Sequence, residues 1–263
     1  MPELPEVETE RQYLHRTSVG KSVMQVIVSE PRILKDTSPP ALTVALLGHT
    51  IVDTGRHGKY LFAILENGAS LIFHFGMTGG LAMFDDDYPW PPYTRFALLF
   101  SDTSHLTYHD PRKLGRVSFT TNWREWIRVK GLGPDALSVQ FKAFREQLAN
   151  RKGAVKPLLM NQEVIAGIGN LYADEILFQA GIHPRRAVVS LTIHDLQRIY
   201  TSMRTILRTA IRRRADEAAY PRTYLIHQRF PDGCCPKCGK LLEHLSMNGR
   251  TAYFCPDDQP YEA

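Results

Sequence analysis

The spacing of apolar residues changes character three times along this 263-residue chain. Up to about residue 120, a short helical stretch gives way to short runs rich in β-branched and aromatic residues. These are VMQVIVSE, TIVDTG, YLFAILE, SLIFHFG, RFALLFSD, HLTYHD and RVSFTT. Turn residues such as ENGA break them, and strands at this spacing predict a sandwich or a flattened barrel. The segment Asp85 to Tyr93, DDDYPWPPY, is acidic and proline-rich and reads as a loop. GLGPDAL, from Gly131 to Leu137, continues neither periodicity and reads as a hinge. From there to about residue 215 the period is helical, in SVQFKAFREQLAN, VKPLLM, NLYADEILFQAG and LTIHDLQRIYTSMRTILRTAIRRR. The remainder, from about residue 222, is short and carries the cysteines. The expected division is therefore 2–120, 131–221 and 222–263.

Composition narrows this picture only a little. The formal net charge of +5 is a mild basic bias, informative about a polyanionic partner only where the cations cluster. No stretch approaches the roughly 20 apolar residues that cross a bilayer, and MPELPEVETERQYLHRT lacks the pattern of a secretory signal. A cytoplasmic location is expected, with reduced thiols. All of Cys234, Cys235, Cys238 and Cys255 fall near the C-terminus, which favours a metal site over disulfides. A segment this small cannot bury a core of its own and is expected to need that metal.

Chemistry begins at the first residues. Initiator methionine before proline is normally removed, which leaves Pro2 with a free secondary amine whose pKa of about 8 allows a neutral fraction. Such an amine can attack a sugar C1′ and condense to an iminium. Glu3 or Glu6 beside it can act as a general acid. Proline near a helix start also simply sets geometry. Lys59, between Gly58 and a strand, can project from a sheet edge toward a phosphate, or stay a solvated surface lysine. HFGMTGG places His74 and Met77 beside glycines that let backbone approach a ligand. In HDPRKLG a proline-set turn exposes Arg112 and Leu114, a cation and an apolar group suited to entering a base stack.

IAGIGNLYADEILFQAG frees the backbone at Gly167 and Gly169, and Asn170 is expected to cap the helix that follows. Exposed N–H groups at such a start suit a phosphate. Glu175 falls near the apolar side of that helix, where an acid needs a partner. Arg151 and Lys156 lie upstream, and Arg204, Arg208 and Arg212 recur on one basic face. In the tail, CPKCG and a later CPDDQ make half of a four-cysteine zinc ribbon. Asp258 stands where a fourth cysteine belongs. Asp258 is taken as the ligand completing Cys235, Cys238 and Cys255, with Cys234 and His244 as substitutes. NGRTAYF reads as a hairpin with its turn at Asn248-Gly249 and Arg250 at the tip.

Taken in order, MPELPEVE, GKYL, HFGMTG, HDPRKLG, GLGPDAL, AGIGNLYADEILF, CPKCG and GRTAYFCP resemble the formamidopyrimidine-DNA glycosylase / endonuclease VIII family over nearly the whole chain. The resemblance is nearer the formamidopyrimidine branch. It implies an α+β multidomain fold: an N-terminal β-sandwich with a short leading helix, a helix-two-turns-helix module and a C-terminal zinc-ribbon-like β-hairpin. It implies a monomer that kinks damaged double-stranded DNA in a cleft between its larger parts. Pro2 would be the Schiff-base nucleophile, Glu3 the acid, Lys59 the phosphate-binding lysine of the elimination steps, and Arg250 the arginine credited with the second elimination. Asn170, Lys156 and Arg151 would hold the DNA backbone, and His74 also falls in the DNA-binding set. Met77, Arg112 and Leu114 would fill the void left by an everted base. One structural zinc is implied.

Three positions depart from the family pattern. Leu114 replaces a phenylalanine, Asp258 replaces the last zinc cysteine, and ADEAAYPRTYLIHQRF is shorter than the loop that caps 8-oxoguanine. The expected activity is base-excision glycosylase with strand cleavage by β,δ-elimination, on 8-oxoguanine or formamidopyrimidines. Oxidised pyrimidines are the alternative substrate, and a silent damage-binding protein is the alternative class.

Overall fold

The computed structural model describes residues 2–85, 89–149 and 151–261. Asp86–Tyr88 of the expected loop, and Asn150 at the end of a predicted helical stretch, therefore lie outside the described residues. The chain forms two compact units, one of Pro2 with residues 6–130, the other of Glu3–Pro5 with the residues from 131 onward.

From Glu6 onward α1 (Leu4–Ser18) belongs to the first unit, where its Val7 and Leu14 are fully buried in the core. Eight strands follow: β1 (Val23–Val28), β2 (Ile51–His57), β3 (Tyr60–Leu65), β4 (Ser70–His74), β5 (Gly80–Phe84), β6 (Thr94–Phe100), β7 (His105–His109) and β8 (Arg116–Thr120). They make two four-stranded antiparallel sheets, ordered β1-β6-β7-β5 and β2-β3-β4-β8. Leu61, Ala63 and Phe73 of one sheet share a core with Phe96, Leu98 and Tyr108 of the other, so the unit is a β-sandwich.

Three elements escaped the apolar pattern. The helix α2 (Pro39–Leu46) is apolar around most of its surface and starts from a Ser38 cap and two prolines, which hides its period. The helix α3 (Trp123–Val129) buries no residue fully. It instead lays Trp123 and Trp126 on Phe62 and Tyr60 of β3, with ring centroids 5.2 and 5.0 Å apart. The edge strand β5 begins in a glycine run that reads as loop. Gly80 is needed there because a Cβ would stand 2.8 Å from the His109 ring.

In the second unit, α4 (Phe141–Leu148), α5 (Val155–Met160), α6 (Asn170–Ala180) and α7 (Ile193–Arg212) enclose a core of Leu4, Phe144, Leu159, Ile168, Tyr172, Ile199 and Met203, among others. A capping box of Thr192 and Asp195 starts α7, and Gly181 ends α6 in a left-handed conformation. The C-terminal hairpin pairs β9 (Glu243–Met247) with β10 (Arg250–Phe254), and Asn248 and Gly249 both take positive φ at its turn. This tail is not left to stand alone. Phe178 of α6 and Leu225 are buried together with its Cys235, Leu242 and Cys255.

Candidate active site and nucleic-acid interface

In the first unit Pro2 is half-buried. Gly58 and Lys59 form the two-residue turn that joins β2 to β3, with Gly58 at φ +55°. Lys59 is not the solvated lysine of the sheet edge but is only 7% exposed. His74 ends β4, opposite Tyr60 on one side and Arg116 on the other. Burial above all, then the nearby Lys59, Arg116 and Lys130 charges, push its pKa down to about 4. Its ring is thus neutral near pH 7, and Nδ1 accepts from the Gly76 amide at 3.3 Å.

Met77, Arg112 and Leu114 are all exposed, on two turns that meet backbone to backbone. A Cβ on Gly76, which has φ +58°, would lie 2.5 Å from Gly115 N and from Leu114 C. Gly115 is tighter still, since its Cβ would stand 1.6 Å from Tyr108 Oη. One carboxylate locks both turns. Asp110, wholly buried, accepts from Thr78 Oγ1 (2.7 Å) and Arg112 N (3.2 Å) through Oδ1, and from Gly115 N (2.7 Å) through Oδ2. Asp110 was not singled out from the sequence. Its signal was an Asp before Pro, a residue type that accepts from backbone amides two or more positions on.

In the second unit Glu3 is buried, and its carboxylate accepts from Gly169 N (2.5 Å) and Leu171 N (2.9 Å). This corrects the expected cap. Gly169 is the N-cap of α6 with no side chain to offer, and Asn170 is already the first helical residue. Glu3 caps the helix from 166 residues away in sequence. Gly169 must lack a side chain for this, since a Cβ would fall 2.4 Å from the Glu3 carboxyl carbon. The buried Oδ1 of Asn170 has no hydrogen-bond partner among the described residues, so it can accept from an incoming ligand.

Lys156 is also placed differently from a surface phosphate ligand. It is 1% exposed, its Nζ lies 2.7 Å from Asp174 Oδ1, and it donates to Thr251 O at 3.2 Å. The Asp174 contact is a charge pair without an aligned hydrogen bond on Oδ1. Burial opposes both charges, pushing the Asp174 carboxyl up and the Lys156 amine down, while each partner's charge resists. Arg151 is exposed and donates to Gln147 O, and Arg250 is exposed beside the hairpin turn. The basic face of α7 is partly structural, since Arg204 donates to the carbonyls of Leu137 and Val139. Arg208 and Arg212 remain exposed. Glu175 finds the partners an acid requires there, Ile226 N at 2.9 Å and Gln179 at 2.8 Å. Burial still pushes its pKa up to about 7.

One ligand atom from each of Cys235, Cys238, Cys255 and Asp258 lies within 4.8 Å of the others. Cys238 Sγ and Cys255 Sγ are 3.5 Å apart and Cys235 Sγ is 2.9 Å from Asp258 Oδ2. Tetrahedral zinc with thiolates at about 2.3 Å needs ligand separations of this order, so the donor set fits a metal. Of the alternatives, Cys234 is exposed with its Sγ near Asp232 O, and His244 packs on Tyr253. Neither belongs to the cluster.

Among the described residues, no helix is long and apolar enough to cross a membrane. The family model of the formamidopyrimidine-DNA glycosylase N-terminal domain matches residues 1–117, and that of the formamidopyrimidine-DNA glycosylase H2TH domain matches residues 132–220. A formamidopyrimidine-DNA glycosylase of Pelobacter propionicus is 38% identical, over 97% of this chain and 98% of its own length. One of Arabidopsis thaliana is 32% identical over 98% of this chain and 71% of its own. Among solved structures, the Lactococcus lactis formamidopyrimidine-DNA glycosylase bound to DNA with an abasic site has a TM-score of 0.88 at 29% identity, covering 98% of this chain and 100% of that one. The same bacterium's enzyme with Fapy-dG DNA has a TM-score of 0.87 at 29% identity, with the same coverage. With both of its larger parts matched and relatives aligned nearly end to end, this chain belongs to the formamidopyrimidine-DNA glycosylase family.

Proposed function

We propose that this protein is a base-excision DNA glycosylase that also cuts the strand, acting on damaged double-stranded DNA. The observation that carries the reading is the carboxylate of Glu3. It is oriented by two amides at the start of α6 and is covalently next to Pro2. A nucleophile and a proton-transfer group are thus neighbours, which covalent amine catalysis requires.

In the proposed sequence the Pro2 nitrogen bonds to C1′ as the glycosidic bond breaks, and the base leaves with the electron pair and takes a proton. The sugar C1′–O4′ bond then opens to an iminium, with Glu3 delivering a proton to O4′. Loss of the C2′ proton expels the 3′ phosphate, and loss of the C4′ proton expels the 5′ phosphate. Lys59 and Arg250 hold and neutralise those phosphates. Met77, Arg112 and Leu114 fill the space of the everted nucleotide. Asn170 and Arg151 contact the DNA backbone, and His74 belongs to the DNA-binding set. Lys156 acts from within the fold. Residues 2–120, 131–221 and 222–263 supply the catalytic, DNA-holding and hairpin parts. Zinc held by Cys235, Cys238, Cys255 and Asp258 braces the tail. The Asp258 oxygen lies inside the cluster, which supports an intact tail, and with it the enzyme, over the silent binding protein.

The relatives' names and the Fapy-dG complex support formamidopyrimidines as the preferred lesions, and 8-oxoguanine is kept beside them on the sequence resemblance alone. The test is borohydride trapping on duplexes each carrying one lesion. The expected result is a covalent protein–DNA adduct that Pro2→Gly abolishes. Substantial adduct with the substituted protein would remove the assignment of Pro2, and no adduct on any damaged duplex would remove the enzymatic reading. The mechanism also requires the purified protein to begin at Pro2, which intact-mass measurement checks.

A further inference from the structure

The helix α6 carries three attachments along one short rod, and only the first belongs to the chemistry described above. At its start, Gly169 N and Leu171 N hold the Glu3 carboxylate. Near its end, Phe178 is buried with Cys235 and Cys255. Between them, Asp174 is completely buried and reaches the hairpin. Its Oδ2 accepts from Tyr253 N (3.3 Å) in β10, and from Arg229 Nε (3.1 Å) and Nη2 (2.8 Å). Its Oδ1 faces Lys156, which donates in turn to Thr251 O, also in β10. The Arg229 guanidinium lies 5.3 Å from the centre of the Tyr253 ring. Two backbone groups of β10, at residues 251 and 253, are thereby held by one buried carboxylate and its cations. Arg250, the first residue of β10, precedes Thr251 directly.

The desolvation of two charges is a large cost, and apolar residues of similar volume would pack α6 against β10 without it. What a directional charge cluster adds over apolar contact is a defined register and distance. The α-helix supplies the measure, since Asp174 stands about 6 Å along the axis from Asn170 at 1.5 Å per residue.

We propose that Asp174 is a positioning residue for Arg250. By pinning β10 to α6 it sets the separation between the Glu3 carboxyl and the Arg250 guanidinium, and with it the efficiency of the second elimination. The inference rests on the proposed roles of Pro2 and Arg250. It adds a residue that touches neither DNA nor the reacting atoms, and it gives Lys156 the role of a strut between α5 and the hairpin.

The experiment uses the full-length protein and duplex DNA carrying a preformed abasic site, so that base recognition is bypassed. Products of one and of two eliminations are separated on a denaturing gel, and borohydride-trapped adduct is measured in parallel. Asp174→Asn keeps the size of the side chain but withdraws its charge. The ratio of second- to first-elimination product should fall by roughly tenfold, as for an ångström-scale misplacement, while trapped adduct stays within about twofold. Arg229→Met, which leaves the Asp174 carboxylate and its Lys156 partner in place, should lower the same ratio to a lesser degree and serves as a second variant beside the first. General loss of structure would reduce adduct and both products together, which would overturn the proposal. So would an unchanged ratio in both variants when Arg250→Ala lowers it. If Arg250→Ala itself left the ratio unchanged, the role of Arg250 would fall and this inference with it, whereas absence of any adduct from the unaltered protein would indict the reading of Pro2.

Discussion

The two units hold their functional residues in opposite ways. In the first, Met77, Arg112 and Leu114 ride on turns that touch through bare backbone at Gly76 and Gly115, with Asp110 closing the contact by neutral-donor hydrogen bonds. In the second, the base of the hairpin is held by a carboxylate and cations withdrawn from water: Asp174 with Lys156 and Arg229 beneath β10. Close backbone contact is steep in distance and indifferent to pH. Buried charge is directional, costly and sensitive to protonation. The first suits the entry into a stacked duplex that is proposed for these turns. The second suits groups whose mutual distance matters to charge development.

This contrast can be broken at Gly115. A methyl there collides with Tyr108 Oη and comes 2.9 Å from His74 O. Gly115→Ala should therefore cost about 3 kcal/mol or more of stability, read by urea denaturation. Adding Tyr108→Phe removes the hydroxyl and should restore part of it. If Gly115→Ala alone were neutral, the turns would be mobile and the rigid-contact account wrong.

A smaller effect sharpens the other half. Burial raises the Glu175 pKa from 4.5 to about 7. The folded protein therefore binds a proton that the unfolded chain has released. That stabilisation is complete below about pH 4.5 and is lost as pH rises through 7. Glu175→Gln should flatten the decline of melting temperature between those limits. Glu10 of the first unit, raised to about 7 by its own burial, contributes with the same sign. The comparison is consequently between variant and parent, not with a flat line. An unchanged slope in Glu175→Gln would show that Glu175 keeps its ordinary carboxylate behaviour.

The smallest effect is expected at Arg208, exposed on α7 and outside both devices. Arg208→Ala should leave stability within about 0.5 kcal/mol. A phosphate contact at this position would show as a salt dependence of DNA binding shallower by about one counterion. A larger stability loss would mean that the face is built into the fold in the way Arg204 is.

Legibility followed locality. Seven strands of the sandwich showed in β-branched and aromatic runs, because a strand half-buried in its own unit advertises its period. The turn at Asn248-Gly249 and the cluster from Cys235 to Asp258 showed because their residue types are demanded by backbone conformation and metal geometry. β5 did not show, since Gly80 yields to a ring on β7 that lies far along the chain. Lys156 read as a holder of the DNA backbone and Asn170 as a cap for the same reason. A lysine is indistinguishable from its neighbours until a carboxylate 18 residues on is folded against it, and a cap site looks vacant until Glu3 arrives.

Taken alone, the order of residues determined the class of most elements, the turns that need glycine or asparagine, the likeness to a family and the set of residues proposed to carry its chemistry. These follow from short-range sterics and from motifs whose members are close in sequence. Tertiary structure alone decided which charges leave water and with what partner: Glu3 on Gly169 and Leu171, Asp174 beneath the hairpin. Such pairings carry no local signal, because the free energy that selects them is the cost of an unpaired buried charge, and that cost exists only once the chain has closed around it.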